Sequence, residues 1–261
     1  MNIIGKSQCT AQQMSKYLLS VNKSPKFSTN ISSLDFCQLF LDICAKEDVR
    51  GDVAFAQSCL ETGNFAYGGD VKYTQNNFSG LGATGNGVCG CIFSSIEEGI
   101  LAQAQHLKTY ATKLSLNEPC VDPRRTNWFV NTKGGTSPEV ETLSGTWAVP
   151  GYNTAKYKSL DEAHKANDTY GHRIVSIVDK ISQIKIVEDK KFYRVQVGAF
   201  SVKENAINLE NKLKQLKFET YIKQIDNLYK VQIGAFANKE NADAMLKKVK
   251  KYGFNAFVTY Y

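Results

Sequence analysis

Glu61 is the residue of this chain whose surroundings best suit proton transfer. It stands in the last turn of a predicted helix, where the negative end of the helix dipole disfavours a carboxylate. The aromatic side chains of Phe65 and Tyr67 follow closely and could shield it from water. The nearest basic residues in sequence, Arg50 and Lys72, are each eleven positions away. A carboxyl group with a raised pKa can act as a general acid near neutral pH; a solvated glutamate at a helix end is the alternative.

The other reactive side chains indicate neither a metal nor a cofactor. Cys89 and Cys91 form the closest cysteine pair, but no second pair and no nearby histidine completes the usual four-ligand zinc site. Cys59 lies two positions before Glu61, and its apolar neighbours favour packing over a nucleophilic role. The three histidines lack the spacing of a zinc hydrolase and are more typical of surface or core positions: His106, His164 and His172.

The elements that carry Glu61 are predicted to be helical. Residues 1–185 show helical periodicity, which predicts a mainly α domain. The helix that carries Glu61 should begin near Asp52, a favourable N-cap, and end just before Gly63. Residues 64–94 are rich in Gly and Asn and indicate loops with a short hairpin. Further helices are expected to start at Ser32 or Ser33, at Ser95 and near residue 160.

A repeated segment predicts a separate domain at the other end of the chain. The strings YRVQVGAF at Tyr193–Phe200 and YKVQIGAF at Tyr229–Phe236 lie 36 positions apart, and a lysine-rich helical stretch follows each of them. Their alternation of polar and apolar residues is the period of a strand with one covered face. The order of elements is βαββαβ. This predicts an α+β domain with a ferredoxin/RNP-like antiparallel sheet, two helices on one face and an open face for binding.

The net charge of +7 belongs to this C-terminal region. Residues 191–261 hold thirteen Lys and Arg against six Asp and Glu, and the charges of the remaining residues balance. A basic domain suggests a polyanionic or acidic partner surface, for which nucleic acid and the bacterial cell wall are both candidates.

Cysteine usage and hydropathy indicate the compartment. All seven cysteines fall within the first 120 residues, and an odd number in apolar contexts is typical of a reducing compartment. The N-terminus lacks the apolar core of a signal peptide. The sequence contains no stretch of about 18 apolar residues, so no membrane span is predicted. We therefore expect the chain to be made and kept in the cytoplasm.

The doubled motif Y-[RK]-V-Q-[VI]-G-A-F resembles the SPOR domain, a family that binds bacterial peptidoglycan, particularly glycan strands stripped of stem peptides. The resemblance implies that Gln196 and Gln232 share the open face of the sheet with Arg194 and Lys230. There they could hydrogen-bond sugar hydroxyls and acetamides. RNA is the competing partner, but the strands lack the RNP pattern of basic, glycine and aromatic residues. The resemblance therefore favours glycan over nucleic acid.

Four segments of the first domain resemble, in order, the endo-β-N-acetylglucosaminidases of glycoside hydrolase family 73. They are Ala56–Gly63 (AQSCLETG), Asn76–Leu81 (NNFSGL), Phe93–Ile100 (FSSIEEGI) and Trp147–Tyr152 (WAVPGY). The family carries its catalytic glutamate in the first segment and a cleft tyrosine in the last. The resemblance implies a lysozyme-like fold, with Glu61 as general acid and Tyr152 beside the substrate. It also implies three substrate contacts: Asn77, Phe78 and Trp147.

A second catalytic group is harder to assign, because this chain departs from the family pattern. Glycosidases usually need two carboxylates, and many relatives place the second in a hairpin corresponding to residues 78–94, which hold no Asp or Glu. Asp70, in a Gly-rich loop, is the candidate, although an Asx turn also explains it. Glu97 and Glu98 better suit the first turn of a helix. Alternatively, the acetamide of the substrate attacks its own anomeric carbon, assisted by Tyr152.

The sequence therefore predicts a peptidoglycan hydrolase that cleaves the β-1,4 bond after N-acetylglucosamine. Residues 1–185 would form the catalytic domain, 186–191 a linker and 192–261 the SPOR-like domain, with glycan strands as the partner and an undetermined oligomeric state. The missing signal peptide suggests a phage or prophage endolysin of a clostridium-like host, held in the host cytoplasm until release. A lytic transglycosylase of the same fold and a wall-binding protein without catalysis are the alternatives.

Overall fold

Helices make up most of the first 186 residues of the computed structural model, which describes residues 1–83, 87–186, 191–225 and 227–261. The chain divides into two units, Met1–Ile186 and Val187–Tyr261. Residues 187–190 of the predicted linker lie outside the described residues. The helices of the first unit are α1 (Ala11–Val21), α2 (Ser33–Lys46), α3 (Gly51–Glu61), α4 (Ile96–Ala111), α5 (Asn127–Lys133), α6 (Leu160–Lys165) and α7 (Tyr170–Ser182). The helical character predicted for this unit is confirmed.

Helix α3 is the central helix of the first unit, because nearly all of its residues are buried. It packs against α1, α2, α4 and α7. Its first residue has no room for a side chain, since a Cβ atom on Gly51 would lie 2.5 Å from the carbonyl oxygen of Phe40. A helix buried along its length reaches solvent only at its end, and in α3 the exposed residue at the end is Glu61.

Five buried phenylalanine rings pack together beside α3: Phe36, Phe40, Phe55, Phe65 and Phe78. The centroids of neighbouring rings lie 5.1 to 6.3 Å apart. Burying one such side chain contributes about 1.5–3 kcal/mol to folding. Phe65 and Phe78 belong to the loops that follow α3, so this core holds those loops against the helix.

A buried ion pair fixes the start of α3. Nη2 of Arg50 lies 2.8 Å from Oδ2 of Asp52. The same carboxylate accepts hydrogen bonds from the backbone N–H groups of Gln8 (2.8 Å) and Cys9 (3.2 Å). Burial alone would raise the pKa of Asp52, but these hydrogen bonds and the Arg50 charge outweigh it and hold the pKa below its ordinary value. The charged carboxylate thereby ties the N-terminal segment to α3.

The helix starts follow the capping residues closely. The hydroxyls of Ser32 and Ser95 cap α2 and α4, as predicted. Helix α3 begins one residue before the predicted cap, because Asp52 uses its carboxylate for the buried ion pair. Within 64–94 the described residues form turns and the 3₁₀ helix Tyr73–Gln75; residues 84–86 of the hairpin expected there lie outside the described residues.

The last predicted helix of this unit is broken in two. The helix expected over 160–183 is interrupted at Asn167, whose φ of 52° is left-handed, so that α6 and α7 are separate. The next residue, Asp168, accepts hydrogen bonds from Nζ of Lys156 (2.7 Å) and from the hydroxyl of Tyr157 (3.0 Å). These tertiary contacts lie at the break between α6 and α7, and helical periodicity in the sequence does not predict them.

The second unit contains a four-stranded antiparallel sheet and two helices. They are β1 (Tyr193–Phe200), α8 (Lys203–Gln215), β2 (Thr220–Ile225), β3 (Leu228–Phe236), α9 (Lys239–Lys250) and β4 (Phe257–Tyr260). The strands lie in the order β2-β3-β1-β4. Both helices pack against the sheet over a core that includes Val195, Val231 and Ile233. The βαββαβ order predicted from the repeat is confirmed.

The repeated Gly-Ala-Phe ending of β1 and β3 has a steric cause. The ring of Phe236 lies over Gly234, where a Cβ atom would come within 2.4 Å of the ring. In the other copy a Cβ atom on Gly198 would come within 2.7 Å of the Phe200 ring. Gly234 also has a φ of +68°, which glycine adopts without strain. Each glycine makes room for a ring that packs against the hydrophobic core.

Removing the charge of Asp52 should reduce stability in a pH-dependent way. Because its pKa is lower in the folded state, the carboxylate contributes stability above its unfolded pKa of about 3.9, and this contribution is lost as the pH falls. Asp52→Asn leaves Arg50 buried without its partner, so we expect a loss of about 3–5 kcal/mol at pH 7 that shrinks below pH ~4. Denaturant unfolding at pH 7 and at pH 3 measures this loss of stability.

Asp42→Asn is the matched control, because among the described residues this exposed carboxylate is hydrogen-bonded only to Gln38. It should change the free energy of unfolding by less than ~0.5 kcal/mol. An equal loss for Asp52→Asn at pH 7 and pH 3 would contradict the role given to its charge.

Candidate functional site

Glu61 opens into a cavity of about 500 Å³ at the end of α3, called here the Glu61 cavity. The loops after α3 and the turn around Gly80 form its walls. Its lining residues include Tyr67, Asp70, Asn77 and Ala83. A Cβ atom on Gly80 would lie 3.7 Å from Oε2 of Glu61, so glycine at this position keeps the space in front of the carboxyl group open.

The protein atoms around Glu61 raise its pKa, although the side chain keeps contact with solvent through the cavity. Loss of hydration makes the largest contribution to this shift. It raises the pKa because it disfavours the charged form. Hydrogen bonds from the hydroxyl of Tyr170 and the indole of Trp147 favour the charged form and offset part of the increase. The net shift is upward, which is the direction that a general acid requires.

The hydroxyl of Tyr170 is held as a donor to Glu61. Nε2 of Gln57 donates a hydrogen bond to this hydroxyl at 3.0 Å, so the phenol proton is directed to Oε1 of Glu61. Burial, followed by the nearby Glu61 charge, raises the pKa of Tyr170 well above its ordinary value. The phenol therefore keeps its proton at neutral pH and can only donate to the carboxylate.

A chain of buried polar side chains fixes the orientation of Gln57. Nε2 of Gln103 donates to Oε1 of Gln57 at 2.8 Å and to the carbonyl of Ala54 at 2.9 Å. The hydroxyl of Ser58 donates to Oε1 of Gln103 at 3.0 Å. With its oxygen accepting, Gln57 must point its amide hydrogens at Tyr170. Gln57 and Ser58 belong to the same segment, Ala56–Gly63, as Glu61. This segment therefore supplies the carboxyl group and also the polar side chains that orient its hydrogen-bond donor.

The segment after Glu61 is held in an unusual backbone conformation. Gly63, Asn64, Phe65 and Tyr67 all have positive φ values, between 52° and 61°. A non-glycine residue in this region costs about 1–3 kcal/mol and persists where its surroundings over-determine it. The hydroxyl of Thr62 accepts the N–H of Phe65 at 2.8 Å. This segment turns Phe65 into the core and leaves Tyr67 as a wall of the Glu61 cavity.

Asp70 lines the same cavity as Glu61. Its Oδ2 accepts a hydrogen bond from the backbone N–H of Gly87 at 3.3 Å. The two carboxylates that were paired from the sequence are therefore brought to one cavity. The catalytic role of Asp70 stays a prediction.

Two of the predicted substrate contacts, Asn77 and Phe78, have structural partners; the contact of Asn77 with substrate stays a prediction. Oδ1 of Asn77 accepts the N–H of Leu81 at 2.9 Å, and its Nδ2 donates to the carbonyls of Leu81 (2.9 Å) and Cys91 (3.1 Å). Its amide thus shapes the turn beside Glu61. Phe78 is 2% exposed and lies in the phenylalanine core. The expectation that Phe78 offers a surface to substrate is corrected: its ring supports the cavity from behind.

The tyrosine bonded to Glu61 is Tyr170, which the sequence did not single out. Tyr152 was predicted to lie beside the substrate, and that role stays a prediction. Tyr152 forms an isolated β-bridge with Thr169, and it is not among the residues that line the Glu61 cavity. Tyr170 lies 109 positions after Glu61, so no local spacing rule links the two. Trp147, from the same predicted segment as Tyr152, does reach the carboxyl of Glu61.

The predicted glycan contacts of the second unit lie on the face of the sheet that the helices do not cover. Gln196 and Gln232 are paired directly across β1 and β3, and they are 7% and 1% exposed. Nε2 of Gln232 donates to the hydroxyl of Tyr261. Nη1 of Arg194 donates to the carbonyl of Tyr261 at 2.6 Å. Both glutamines are thus covered, and their contact with glycan stays a prediction.

The exposed groups on this face are aromatic and basic. Lys230 of β3 lies opposite Lys223 of β2. Tyr221 and Phe257 lie opposite the two covered glutamines and are 60% and 54% exposed. Directly opposed residues of a sheet share one face, so aromatic rings and cations are interspersed on this surface.

Three further points concern a cysteine nucleophile, a metal site and a membrane span. Cys59 is buried, and burial raises the pKa of its thiol well above the ordinary value, so it is not poised as a nucleophile. Within the described ranges, no cluster of three or more His, Cys, Asp or Glu side chains could hold a metal ion. No helix in the described part of the chain is both long and apolar enough to cross a membrane.

Comparison with known proteins identifies the second unit. Residues 189–260 match the family model of the SPOR domain, so this part of the chain is a SPOR domain. An uncharacterized protein of Borreliella burgdorferi is 36% identical over 158 residues, which cover 60% of this chain and 74% of that protein. The chain belongs to the same family as this Borreliella protein.

Among solved structures, the chain is similar to the peptidoglycan binding domain of the B. subtilis cell wall lytic enzyme CwlC. The two are 41% identical, and the match covers 30% of this chain and 99% of that domain, with a TM-score of 0.27.

Removing the Tyr170 hydroxyl should move the pKa of Glu61 further up. Its hydrogen bond favours the carboxylate, and Tyr170→Phe removes the bond without removing the ring. We expect a rise of about one pKa unit, which corresponds to the loss of roughly one charge-assisted hydrogen bond. Carbon-detected NMR titration of the Glu61 carboxyl measures it. Tyr110→Phe, which removes a hydroxyl bonded to the carbonyl of Thr146, should leave this pKa in place; a fall in the Tyr170→Phe variant would contradict the assignment.

Proposed function

We propose that this protein binds bacterial peptidoglycan through its SPOR domain and cleaves the glycan in its helical domain. The SPOR match supports cell-wall binding, and the similar B. subtilis domain is a peptidoglycan binding domain. The basic charge of residues 191–261 and the exposed rings of Tyr221 and Phe257 suit a surface of sugars and acidic groups.

One observation supports cleavage more than any other. Glu61 has a raised pKa inside a cavity that it shares with Asp70. A carboxyl group with a raised pKa that shares a cavity with a second carboxylate suits the chemistry of a glycosidase. The bond proposed for cleavage is the β-1,4 bond after N-acetylglucosamine, in a lysozyme-like catalytic domain. This assignment extends the resemblance to family 73 that the segments around Glu61 carry.

The proposed reaction starts with proton transfer from Glu61. Its proton passes to the glycosidic oxygen while the bond from this oxygen to the anomeric carbon breaks, so the leaving sugar departs as an alcohol. Either Asp70 or the acetamide oxygen of the sugar that carries the anomeric carbon then stabilises this carbon. Water then adds to this carbon and returns a proton to Glu61. Tyr170 donates to Glu61 more strongly as the carboxylate forms, which favours the transition state.

The second candidate is a wall-binding protein that does not cleave glycan. The SPOR match favours it, because that match concerns binding alone. A lytic transglycosylase is a variant of the first proposal, since a single glutamate such as Glu61 suffices for it. The chemical nature of the product ends separates all three.

Replacing Glu61 should abolish cleavage and leave wall binding intact. We expect the wild type to release new glucosaminitol ends from purified peptidoglycan after borohydride reduction, measured by mass spectrometry. Glu61→Gln should reduce their rate of formation at least about 100-fold, the lower range for general acid catalysis. Glu97→Gln, an exposed glutamate at the start of α4, should retain the wild-type rate.

Other product ends would change the assignment. Muramitol ends would identify a muramidase, and anhydro-muramic ends a transglycosylase. Wild-type protein that sediments with the wall but yields no new ends would leave binding as the function. In an active protein, Asp70→Asn separates the two routes: a loss as large as for Glu61→Gln supports a second carboxylate, whereas a small loss supports the acetamide route.

The exposed rings of the SPOR sheet should carry wall binding. Tyr221→Ala removes a ring from the open face and should weaken sedimentation with stripped glycan about three- to tenfold, the range for one aromatic contact. Tyr252→Ala is the control, because this exposed ring lies after α9 and contacts Phe218. Binding should also weaken as salt is raised, since the domain is basic. Equal binding by both variants and the wild type would reject this face.

A further inference from the structure

A second cavity, of about 410 Å³, adjoins the Glu61 cavity and is called here the tryptophan cavity. The two cavities share Gly80 and Ala83 as lining residues. Trp147 lines the tryptophan cavity and also donates a hydrogen bond towards Glu61. A polymer bound at Glu61 can therefore continue into this second space.

Aromatic side chains form the walls of the tryptophan cavity. Trp128, on α5, is 68% exposed, although large aromatic rings are usually covered. Trp147 is better supported: its ring centroid lies 4.9 Å from that of His106, which in turn stacks on Phe129 at 4.4 Å. One packed ring and one exposed ring in the same cavity suit the flat apolar face of a sugar.

Two cations line the same cavity without an acidic partner. Within the described residues, neither Arg124 nor Lys133 has a carboxylate at ion-pair distance. The nearby carboxylate of Asp122 is already occupied. Its Oδ2 lies 2.7 Å from Nδ1 of His106, and its Oδ1 accepts the backbone N–H of Arg124 at 2.8 Å. The two side-chain cations are thus available to an anion from outside.

Ser79 supplies a further polar group at this position. It lines the tryptophan cavity, is 3% exposed, and its hydroxyl has no hydrogen-bond partner among the described residues. A buried hydroxyl without a partner costs about 1–3 kcal/mol unless something satisfies it. A bound ligand with polar groups is one way to satisfy it.

We propose that the tryptophan cavity binds a carboxylate-bearing sugar unit of the glycan, with its ring on Trp128 and its carboxylate on Arg124 and Lys133. This subsite rests on the proposed function only in placing that unit next to the bond at Glu61. It makes the catalytic domain selective for acidic glycan over neutral chitin-like glycan. Selectivity of this kind would come from charge, because both polymers share the same sugar backbone.

The chain contains its own reporter for this site. It has two tryptophans, Trp128 and Trp147, and both line the tryptophan cavity. The SPOR domain has none, so tryptophan fluorescence reports binding here even in the full-length protein, where the SPOR domain also meets glycan.

The test measures binding without cleavage. In full-length Glu61→Gln, tryptophan fluorescence is titrated with two probes: a soluble disaccharide of N-acetylglucosamine and N-acetylmuramic acid with its free carboxylate, and neutral chitotetraose. We expect the acidic probe to bind more tightly. Adding Arg124→Gln or Lys133→Gln should weaken its binding about five- to tenfold, as expected for a lost charge-assisted hydrogen bond at a partly exposed site. Binding of chitotetraose should not change.

Lys16→Gln, which removes one positive charge from the exposed face of α1, is the control and should have no effect. The proposal is rejected if the acidic probe leaves the tryptophan signal unchanged, if both probes bind equally, or if the charge variants weaken both probes alike. The cleavage assay on peptidoglycan is independent of this result. Loss of cleavage with intact acid selectivity would reject the catalytic proposal alone, and cleavage without acid selectivity would reject the subsite alone.

Discussion

The hydrogen bond from Tyr170 to Glu61 is the interaction on which the candidate site depends. It requires a carboxyl group that is partly desolvated and a phenol whose proton has one direction to take. Gln57, Ser58 and Gln103 provide that direction, because their amides and hydroxyl satisfy one another in the interior. Buried polar chains of this kind are stable only when every member is paired. The burial of nearly all of α3 therefore packs the core and also orders the polar groups that face Glu61.

The loops beside the carboxyl group are held by the same core. Phe65 and Phe78 come from the two loops that border the Glu61 cavity, and both pack among the phenylalanines next to α3. This anchoring offsets the cost of three non-glycine residues with positive φ after Glu61: Asn64, Phe65 and Tyr67. The result is a cavity with open space in front of the acid, since glycine at position 80 leaves room there.

The second unit differs from the first in that its sheet has two distinct faces. Its sheet presents one covered face and one face where cations, exposed rings and two covered glutamines lie together. The glycines of the two repeats are explained by the phenylalanine rings above them, so those residues serve the fold. The net positive charge, which lies in this part of the sequence, suits long-range attraction to the acidic polymer proposed as its partner.

Local patterns in the sequence determined the helices capped by Ser32 and Ser95, the end of α3 at Glu61, and the whole βαββαβ order, because capping and strand alternation depend on near neighbours. The resemblance of the surrounding segments to a known family singled out Glu61 and Asp70, and their catalytic roles stay predictions. Only the tertiary structure decided that Tyr170 contacts Glu61, that Phe78 is a core residue, and that Gln196 and Gln232 are covered. Each of these outcomes depends on residues far apart in sequence meeting in space, and no residue spacing records which distant groups will meet.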